Sequence, residues 1–85
     1  MNKGILYFSA PWCGPCTQLT PIIDSLAKEG INVRKINIDY DADLTQRYSI
    51  KSVPTLVLTD MNGKELKRLI SGVKSKEEIL NWYNS

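Results

Sequence analysis

Apolar residues follow two different periods along the chain, and the change of period separates strands from helices. A continuous apolar run over residues 5–8 predicts a strand that is covered on both faces. From about Cys16 to Glu29 apolar residues recur at helical spacing, and Gly30 marks the end of this first helix. Pro21 lies inside the helix and predicts a kink, because its ring removes a backbone hydrogen bond.

A second strand and a short helix follow. Residues 31–38 alternate between apolar and polar, which predicts a strand. Strand, helix and strand of this length form a βαβ unit, so the first two strands are expected to be parallel. Asp41 or Asp43 is expected to cap a helix that reaches about Tyr48.

The last third of the chain predicts a hairpin and a helix. Residues 53–59 and 65–70 are strands, and the Asn62-Gly63 pair between them is a hairpin turn that makes them antiparallel. The Ser-x-x-Glu pattern of residues 75–78 is a capping box that begins the last helix. The order β-α-β-α-β-β-α predicts an α/β fold with a four-stranded mixed sheet and helices on both faces.

Composition restricts the classes of function. A chain of 85 residues with 42% hydrophobic and 24% charged residues is typical of one small soluble domain. A net charge of +2 is too weak to indicate nucleic-acid binding, and the lysines between residues 64 and 76 are interspersed with glutamates. No apolar stretch is long enough for a membrane span, and no secretory leader is recognisable, so we expect a cytoplasmic location.

The chemistry is concentrated in two cysteines, Cys13 and Cys16, which are the only ones in the chain. A Cys-x-x-Cys between a strand and a helix is typical of a dithiol–disulfide redox site. Residues three apart within a helix have Cβ atoms about 5–6 Å apart, whereas a disulfide needs about 3.5–4.5 Å. The pair therefore fits best at the first turn, with Cys13 at or near the cap. Unpaired amides and the helix dipole there favour thiolate and lower a cysteine pKa to roughly 3.5–7.5.

The two residues between the cysteines suit this position. Pro15 is tolerated early in a helix because its missing N–H has no acceptor there, and Gly14 leaves the sulfur accessible. A purely structural disulfide is the first alternative, but a four-residue loop contributes only about 2 kcal/mol, against about 3 kcal/mol for fifteen residues. A zinc site is the second, but zinc needs four ligands and the chain has two cysteines and no histidine, so we expect no metal.

The sequence resembles the thioredoxin family over nearly its whole length. Residues 12–16, Trp-Cys-Gly-Pro-Cys, are identical to the active-site motif of that family. Four further matches are Pro21 in the kinked helix, residues 35–39 in the second strand, Val53-Pro54-Thr55 and Gly72. The resemblance implies a minimal thioredoxin fold and a cis peptide bond between Val53 and Pro54.

The resemblance also implies a mechanism and partners. The protein is expected to reduce protein disulfides: Cys13 attacks the substrate and Cys16 resolves the mixed disulfide. The substrate-binding platform would comprise Trp12, Val53, Pro54 and Gly72. No bound cofactor is expected beyond the redox-active Cys13–Cys16 disulfide. A thioredoxin reductase that uses flavin and NADPH would reset the pair, and the protein would act as a cytoplasmic monomer in electron transport and cell redox homeostasis.

Two departures from the family pattern stand out. The usual first strand and helix are missing, so residues 1–85 are expected to form one glutaredoxin-sized domain. Tyr7 occupies the place of a buried carboxylate that handles the proton of the second cysteine, and Lys35 would then lack its usual partner. A phenol with a pKa near 10 is a poor proton acceptor. We therefore expect Cys16 to be deprotonated by water, by the Cys13 thiolate or with help from Lys35.

Three alternative functions remain at this stage. A glutaredoxin-like reductase that uses glutathione would fit the size, but that family typically has Pro-Tyr between the cysteines where this chain has Gly14-Pro15. A docking subunit of a larger enzyme would need no redox chemistry and would tolerate replacement of both cysteines. An oxidant or isomerase would differ only in reduction potential, which depends on how the folded protein stabilises the thiolate.

Overall fold

The computed structural model describes residues 3–70 and 74–85. The strands are β1 (Lys3–Ser9), β2 (Val33–Asn37), β3 (Thr55–Asp60) and β4 (Glu65–Ile70), and the helices are α1 (Gly14–Lys28), α2 (Ala42–Arg47) and α3 (Lys76–Asn84). This order confirms the predicted β-α-β-α-β-β-α sequence. Among the described residues, no helix is both long enough and apolar enough to cross a membrane.

The four strands form one mixed sheet in the order β2-β1-β3-β4. β1 and β2 are parallel as predicted, with Ser9 opposite Asn37 at their carboxyl ends. β3 runs antiparallel to both β1 and β4, and its first residue, Thr55, lies opposite Phe8. The loops that follow β1 and β2 and the loop that precedes β3 therefore meet at one end of the sheet.

Helices cover both faces of the sheet, also as predicted. β1 alternates between the two faces: Ile5 and Tyr7 pack against α1 and α3, whereas Phe8 packs on the side of α2. The larger core comprises Ile5, Tyr7, Leu19, Ile23, Leu26, Leu56, Leu58, Ile79 and Tyr83. The smaller core comprises Phe8, Ile36, Tyr48 and Val57.

Several element boundaries differ from the prediction: β1 spans Lys3–Ser9 rather than residues 5–8, and β2 spans Val33–Asn37 rather than residues 31–38. Two further differences lie beside a proline. α1 begins at Gly14 rather than about Cys16, because Cys13 serves as its N-cap and Pro15 fits the first turn. β3 begins at Thr55 rather than at residue 53, since Pro54 has no N–H with which to join the ladder.

Local turn and cap signals were predicted correctly. Asp41 is the residue that caps α2, and its carboxylate accepts the N–H of Leu44. The β3–β4 turn contains Gly63 at a φ of 83°, a left-handed conformation that favours glycine. The capping box at the start of α3 is complete, with both reciprocal hydrogen bonds between Ser75 and Glu78.

Candidate active site

Cys13 and Cys16 form a disulfide at the first turn of α1, at the end of the sheet where three loops meet. Cys13 is the N-cap, and its Sγ accepts a hydrogen bond from the N–H of Cys16 at 3.2 Å. Cys13 is 5% exposed and Cys16 is 2% exposed. The first sulfur therefore lies at the positive end of a 15-residue helix and already accepts a backbone N–H, and both features stabilise a thiolate there.

The backbone around the cysteines explains why the pair forms at this turn. The N–H of Cys13 donates to the carbonyl of Ala10 at 3.1 Å, which closes a turn between β1 and α1. Gly14 and Pro15 are exposed in the first turn. A Cβ placed on Gly14 would meet no atom within 4 Å, so the space beside it is open. An approaching chain can therefore reach this turn from the side of Gly14.

Apolar residues surround the disulfide. Ala10 is buried with the two cysteines, and Ile38 and Val53 pack against this cluster from the loops after β2 and before β3. Pro54 is buried, and the peptide bond between Val53 and Pro54 is cis, as the resemblance implied. The hydroxyl of Thr55 donates to the carbonyl of Ser52 at 2.8 Å and closes the loop around them.

Trp12 directly precedes Cys13, and its side chain is 66% exposed. Its indole Nε1 donates to a carboxylate oxygen of Asp39 at 3.0 Å. Asp39 follows β2, 27 residues along the chain, and was missed as a functional residue because only the pairing of β1 with β2 brings it to Trp12. The fourth predicted platform residue, Gly72, lies outside the described residues.

Tyr7 lies beneath the first turn of α1 and is fully buried in the larger core. Its hydroxyl donates to the carbonyl of Cys16 at 3.1 Å and lies 3.0 Å from Thr20 Oγ1. The Thr20 hydroxyl also donates to the Cys16 carbonyl, at 2.8 Å. Burial raises the pKa of Tyr7 above its ordinary value of 10.0. The phenol is therefore protonated at neutral pH, and its contact is with the backbone of Cys16.

Lys35 has a partner, which corrects the expectation that it would lack one. Its Nζ lies 2.8 Å from a carboxylate oxygen of Asp24 on α1, and both side chains are about half exposed. Register explains the arrangement, since Lys35 lies opposite Tyr7 in the parallel β1–β2 pair and Tyr7 packs against α1. Lys35 is thus paired with a half-exposed carboxylate on the helix, while the buried position on β1 is occupied by Tyr7. The sequence offered no local signal for this pair because its members are 11 residues apart.

Potential metal ligands are sparse in the part of the chain that the structure describes. No group of three or more cysteine, aspartate or glutamate side chains there is arranged to hold a metal ion. The chain has no histidine.

Comparisons with known proteins agree with this geometry. The family model described as Thioredoxin matches residues 1–85. The chain belongs to the thioredoxin family. It is 42% identical to the thioredoxin of Rickettsia felis over 80 residues, which cover 91% of this chain and 74% of the relative. It is 43% identical to the thioredoxin of Chlamydia pneumoniae over 79 residues, which cover 91% of this chain and 76% of the relative.

Solved thioredoxin structures share the fold. A mutant thioredoxin from Halobacterium salinarum superimposes with a TM-score of 0.87 at 30% identity, covering 98% of this chain and 73% of that one. The thioredoxin of Fasciola hepatica gives a TM-score of 0.85 at 29% identity, covering 98% of this chain and 79% of that one. This member of the thioredoxin family is a thiol–disulfide oxidoreductase that reduces protein disulfides. Disulfide-containing proteins are accordingly its substrates.

Proposed function

We propose that Cys13 is the nucleophile and Cys16 the resolving cysteine of a dithiol reductase that carries electrons in the cytoplasm. The observation that carries this assignment is the position of Cys13 as the N-cap of α1, where its Sγ accepts the N–H of Cys16. Cys16 lies within the first turn and is the more buried of the two. The difference in position gives the two sulfurs different roles.

The first step forms a mixed disulfide. The Cys13 thiolate attacks one sulfur of a substrate disulfide, a new S–S bond forms to Cys13, and the other substrate sulfur leaves as a thiolate. Thiolates are favoured at helix N-termini and in Cys-x-x-Cys motifs, which is the setting of Cys13. The amide of Cys16 and the dipole of α1 stabilise the same negative charge.

The second step releases the reduced substrate. Cys16 loses its proton to the departing substrate thiolate or to water, and its sulfur attacks Cys13 Sγ. The bond between Cys13 and the substrate breaks, and the remaining substrate sulfur leaves and takes up a proton from water. Two electrons have then passed to the substrate, and the Cys13–Cys16 disulfide has formed. Tyr7 takes no proton in this scheme because its raised pKa keeps the phenol protonated.

The surface around the disulfide supports substrate docking. Trp12, held by Asp39, together with Val53 and Pro54, borders the cysteines with apolar groups. Gly72 remains a predicted member of this platform. An extended substrate segment would lie across these residues with its disulfide over Cys13.

The remaining assignments concern recycling and assembly. The protein works as a monomer, with no cofactor beyond its own cysteine pair. A thioredoxin reductase that uses flavin and NADPH returns the pair to the dithiol. The similarity to bacterial thioredoxins is the reason for proposing a thioredoxin reductase as the partner.

A trapping experiment tests the two cysteine roles. The Cys16→Ser variant, reduced and mixed with a disulfide-containing protein such as insulin, should accumulate a mixed disulfide through Cys13 that mass spectrometry identifies. The matched Cys13→Ser variant should form none, because the more accessible nucleophile is absent. The opposite result, with the adduct on Cys16, would reverse the roles. Partner binding that survives replacement of both cysteines would indicate a docking subunit instead.

The reduction potential separates reductase from oxidant. Equilibration of the wild-type pair in glutathione and dithiothreitol buffers should give a value within or below about −220 to −320 mV. A value near −120 to −180 mV is that of an oxidant or isomerase and would contradict the electron-carrier assignment. Turnover with NADPH and thioredoxin reductase, compared with glutathione and glutathione reductase, separates the thioredoxin route from the glutaredoxin-like one.

A further inference from the structure

Tyr40 is the most exposed of the large apolar side chains that the structure describes, at 88%, against 66% for Trp12. A single exposed aromatic residue is common on protein surfaces and carries no meaning by itself. The position of Tyr40 in the fold, however, points to a role for this exposed ring. It lies in the turn that follows β2, which the N–H of Tyr40 closes by donating to the carbonyl of Asn37 at 3.0 Å.

The two residues that precede Tyr40, Ile38 and Asp39, border the cysteine site. The N–H of Ile38 donates to the carbonyl of Ser9 at 3.0 Å, which attaches the segment to the end of β1. Ile38 packs against the buried cysteines. Asp39 then accepts the indole N–H of Trp12. Tyr40 follows directly and is thus continuous with the surface that already serves the disulfide.

The residues that flank Tyr40 in the chain carry negative charge. Asp39, Asp41 and Asp43 alternate with Tyr40 and Ala42. The three ion pairs found among the described residues involve none of these carboxylates. Asp39 and Asp41 accept hydrogen bonds from Trp12 and from the backbone of Leu44, and Asp43 lies exposed in the first turn of α2. An aromatic ring among carboxylates is a favourable surface for a lysine or arginine side chain.

We propose that Tyr40 extends the docking surface for the substrate chain and selects substrates with lysine or arginine near the reactive cysteine. The inference rests on the proposed role of Cys13 as nucleophile. The occupant is the segment that flanks the disulfide of the substrate. Its cationic side chain stacks on the ring of Tyr40 and is attracted by the carboxylates that flank this residue in the chain, while its sulfur meets Cys13.

Two peptides test the selection. Each closes one intramolecular disulfide, and they differ only in carrying lysines or glutamates beside the cysteines. The reduced wild-type protein should be oxidised faster by the lysine peptide in rapid-quench experiments. Tyr40→Ala should lower that rate constant about two- to fivefold, as expected for loss of one exposed cation–π contact. Asp43→Asn should reduce the difference between the rate constants measured with the two peptides, and added salt should reduce it as well.

Met61→Ala is the matched control. Met61 is 74% exposed in the β3–β4 turn, directly after the last residue of β3, at the end of the sheet away from the cysteines. Its replacement should leave both rate constants unchanged. Oxidation by hydroxyethyl disulfide, which is small and uncharged, should be equal in all variants because it has no flanking segment. The reduction potential should also be unaffected by Tyr40→Ala, since the ring acts on docking alone.

Two results would contradict the inference, in distinguishable ways. Equal rate constants for Tyr40→Ala and Met61→Ala with the lysine peptide would remove Tyr40 from the docking surface, while normal reaction with hydroxyethyl disulfide leaves the cysteine chemistry intact. Failure of the wild-type protein to react with hydroxyethyl disulfide and with both peptides would instead overturn the proposed function itself.

Discussion

At the scale of single residues, Tyr7 shows how the same site can be supported by different chemistry. A buried ionised carboxylate beneath a cysteine can accept a proton, whereas a buried phenol is held in its neutral form. Here burial raises the pKa of Tyr7, and the hydroxyl is used to bind the carbonyl of Cys16 together with Thr20. Tyr7 is therefore best described as a positioning residue for the first turn of α1.

Tyr7→Phe should separate positioning from proton transfer. Loss of the hydroxyl is expected to lower the free energy of unfolding by about 1 kcal/mol, since Thr20 still donates to the Cys16 carbonyl. The rate of disulfide reduction should stay within about twofold of wild type from pH 6 to 9, because a protonated phenol takes no proton. Urea titration and insulin reduction measure the two quantities. A pH–rate profile displaced in Tyr7→Phe would show that the phenol takes part in proton transfer.

The raised pKa of Tyr7 also predicts an alkaline loss of stability. Below the ordinary value of 10.0 the phenol is protonated in both the folded and the unfolded chain. As the pH rises above it, the unfolded chain loses this proton first, so unfolding becomes more favourable until the folded pKa is passed. The comparison with Tyr7→Phe isolates this contribution from the other tyrosines. If the wild-type protein and Tyr7→Phe gave identical alkaline unfolding curves, the raised pKa of Tyr7 would be contradicted.

The ion pair of Asp24 with Lys35 is expected to matter little for stability. Both side chains are about half exposed, so solvent screens their attraction. Lys35→Met and Asp24→Asn should each change the free energy of unfolding by less than about 1 kcal/mol. Disulfide reduction by both variants should match the wild type if Lys35 gives no help to Cys16. A loss of activity in Lys35→Met alone would restore the lysine as a participant.

At the scale of elements, α3 depends on its first turn. Its capping box joins Ser75 and Glu78, while Ile79 and Tyr83 carry the helix into the larger core. Ser75→Ala should lower the free energy of unfolding by about 1 kcal/mol. Ser75→Asp should keep most of the stabilisation by the cap, because aspartate also caps helices well. Thermal unfolding at neutral pH measures both. Equal stability of Ser75→Ala and wild type would mean that packing alone holds the helix.

The same cap predicts an acid-dependent contribution. The backbone N–H of Ser75 lowers the pKa of Glu78 below its ordinary value of 4.5. The stabilisation is therefore present above that value and is lost as the pH falls through the lower, folded pKa. Glu78→Gln should remove this part of the acid dependence. If the free energies of unfolding of the wild-type protein and Glu78→Gln changed in parallel between pH 7 and 3, this contribution of Glu78 would be contradicted.

At the scale of the whole molecule, the larger core between the sheet and helices α1 and α3 should carry most of the stability. Small domains are stable by about 0.05–0.15 kcal/mol per residue, or roughly 4–13 kcal/mol for 85 residues. Leu26→Ala, in that core, should cost about 2–5 kcal/mol. Leu66→Ala, at an exposed position on β4, is the control and should change little. Equal denaturation midpoints for the two variants would contradict this distribution.

Much of the architecture was readable from the sequence because its signals are local. The caps at Asp41 and Ser75 and the turn at Gly63 each depend on residues within a few positions of one another. Apolar periodicity, cap residues and the hairpin turn together identified all seven elements, and the spacing of the cysteines placed Cys13 at or near the cap of the first helix. The ends of β1 and β2 differ from the predicted ones by one or two residues. Two other boundaries moved beside Pro15 and Pro54, where a missing N–H has different consequences in a helix and in a strand.

What the sequence determined by itself is therefore the order of the elements, the redox motif and the local geometry that favours a thiolate. The tertiary structure decided which side chains support that motif. The order β2-β1-β3-β4 and the register of β1 with β2 brought Asp39 to Trp12 and Lys35 to Asp24. These contacts join residues far apart in the chain, and strand pairing, which depends on the whole hydrophobic core, determines them.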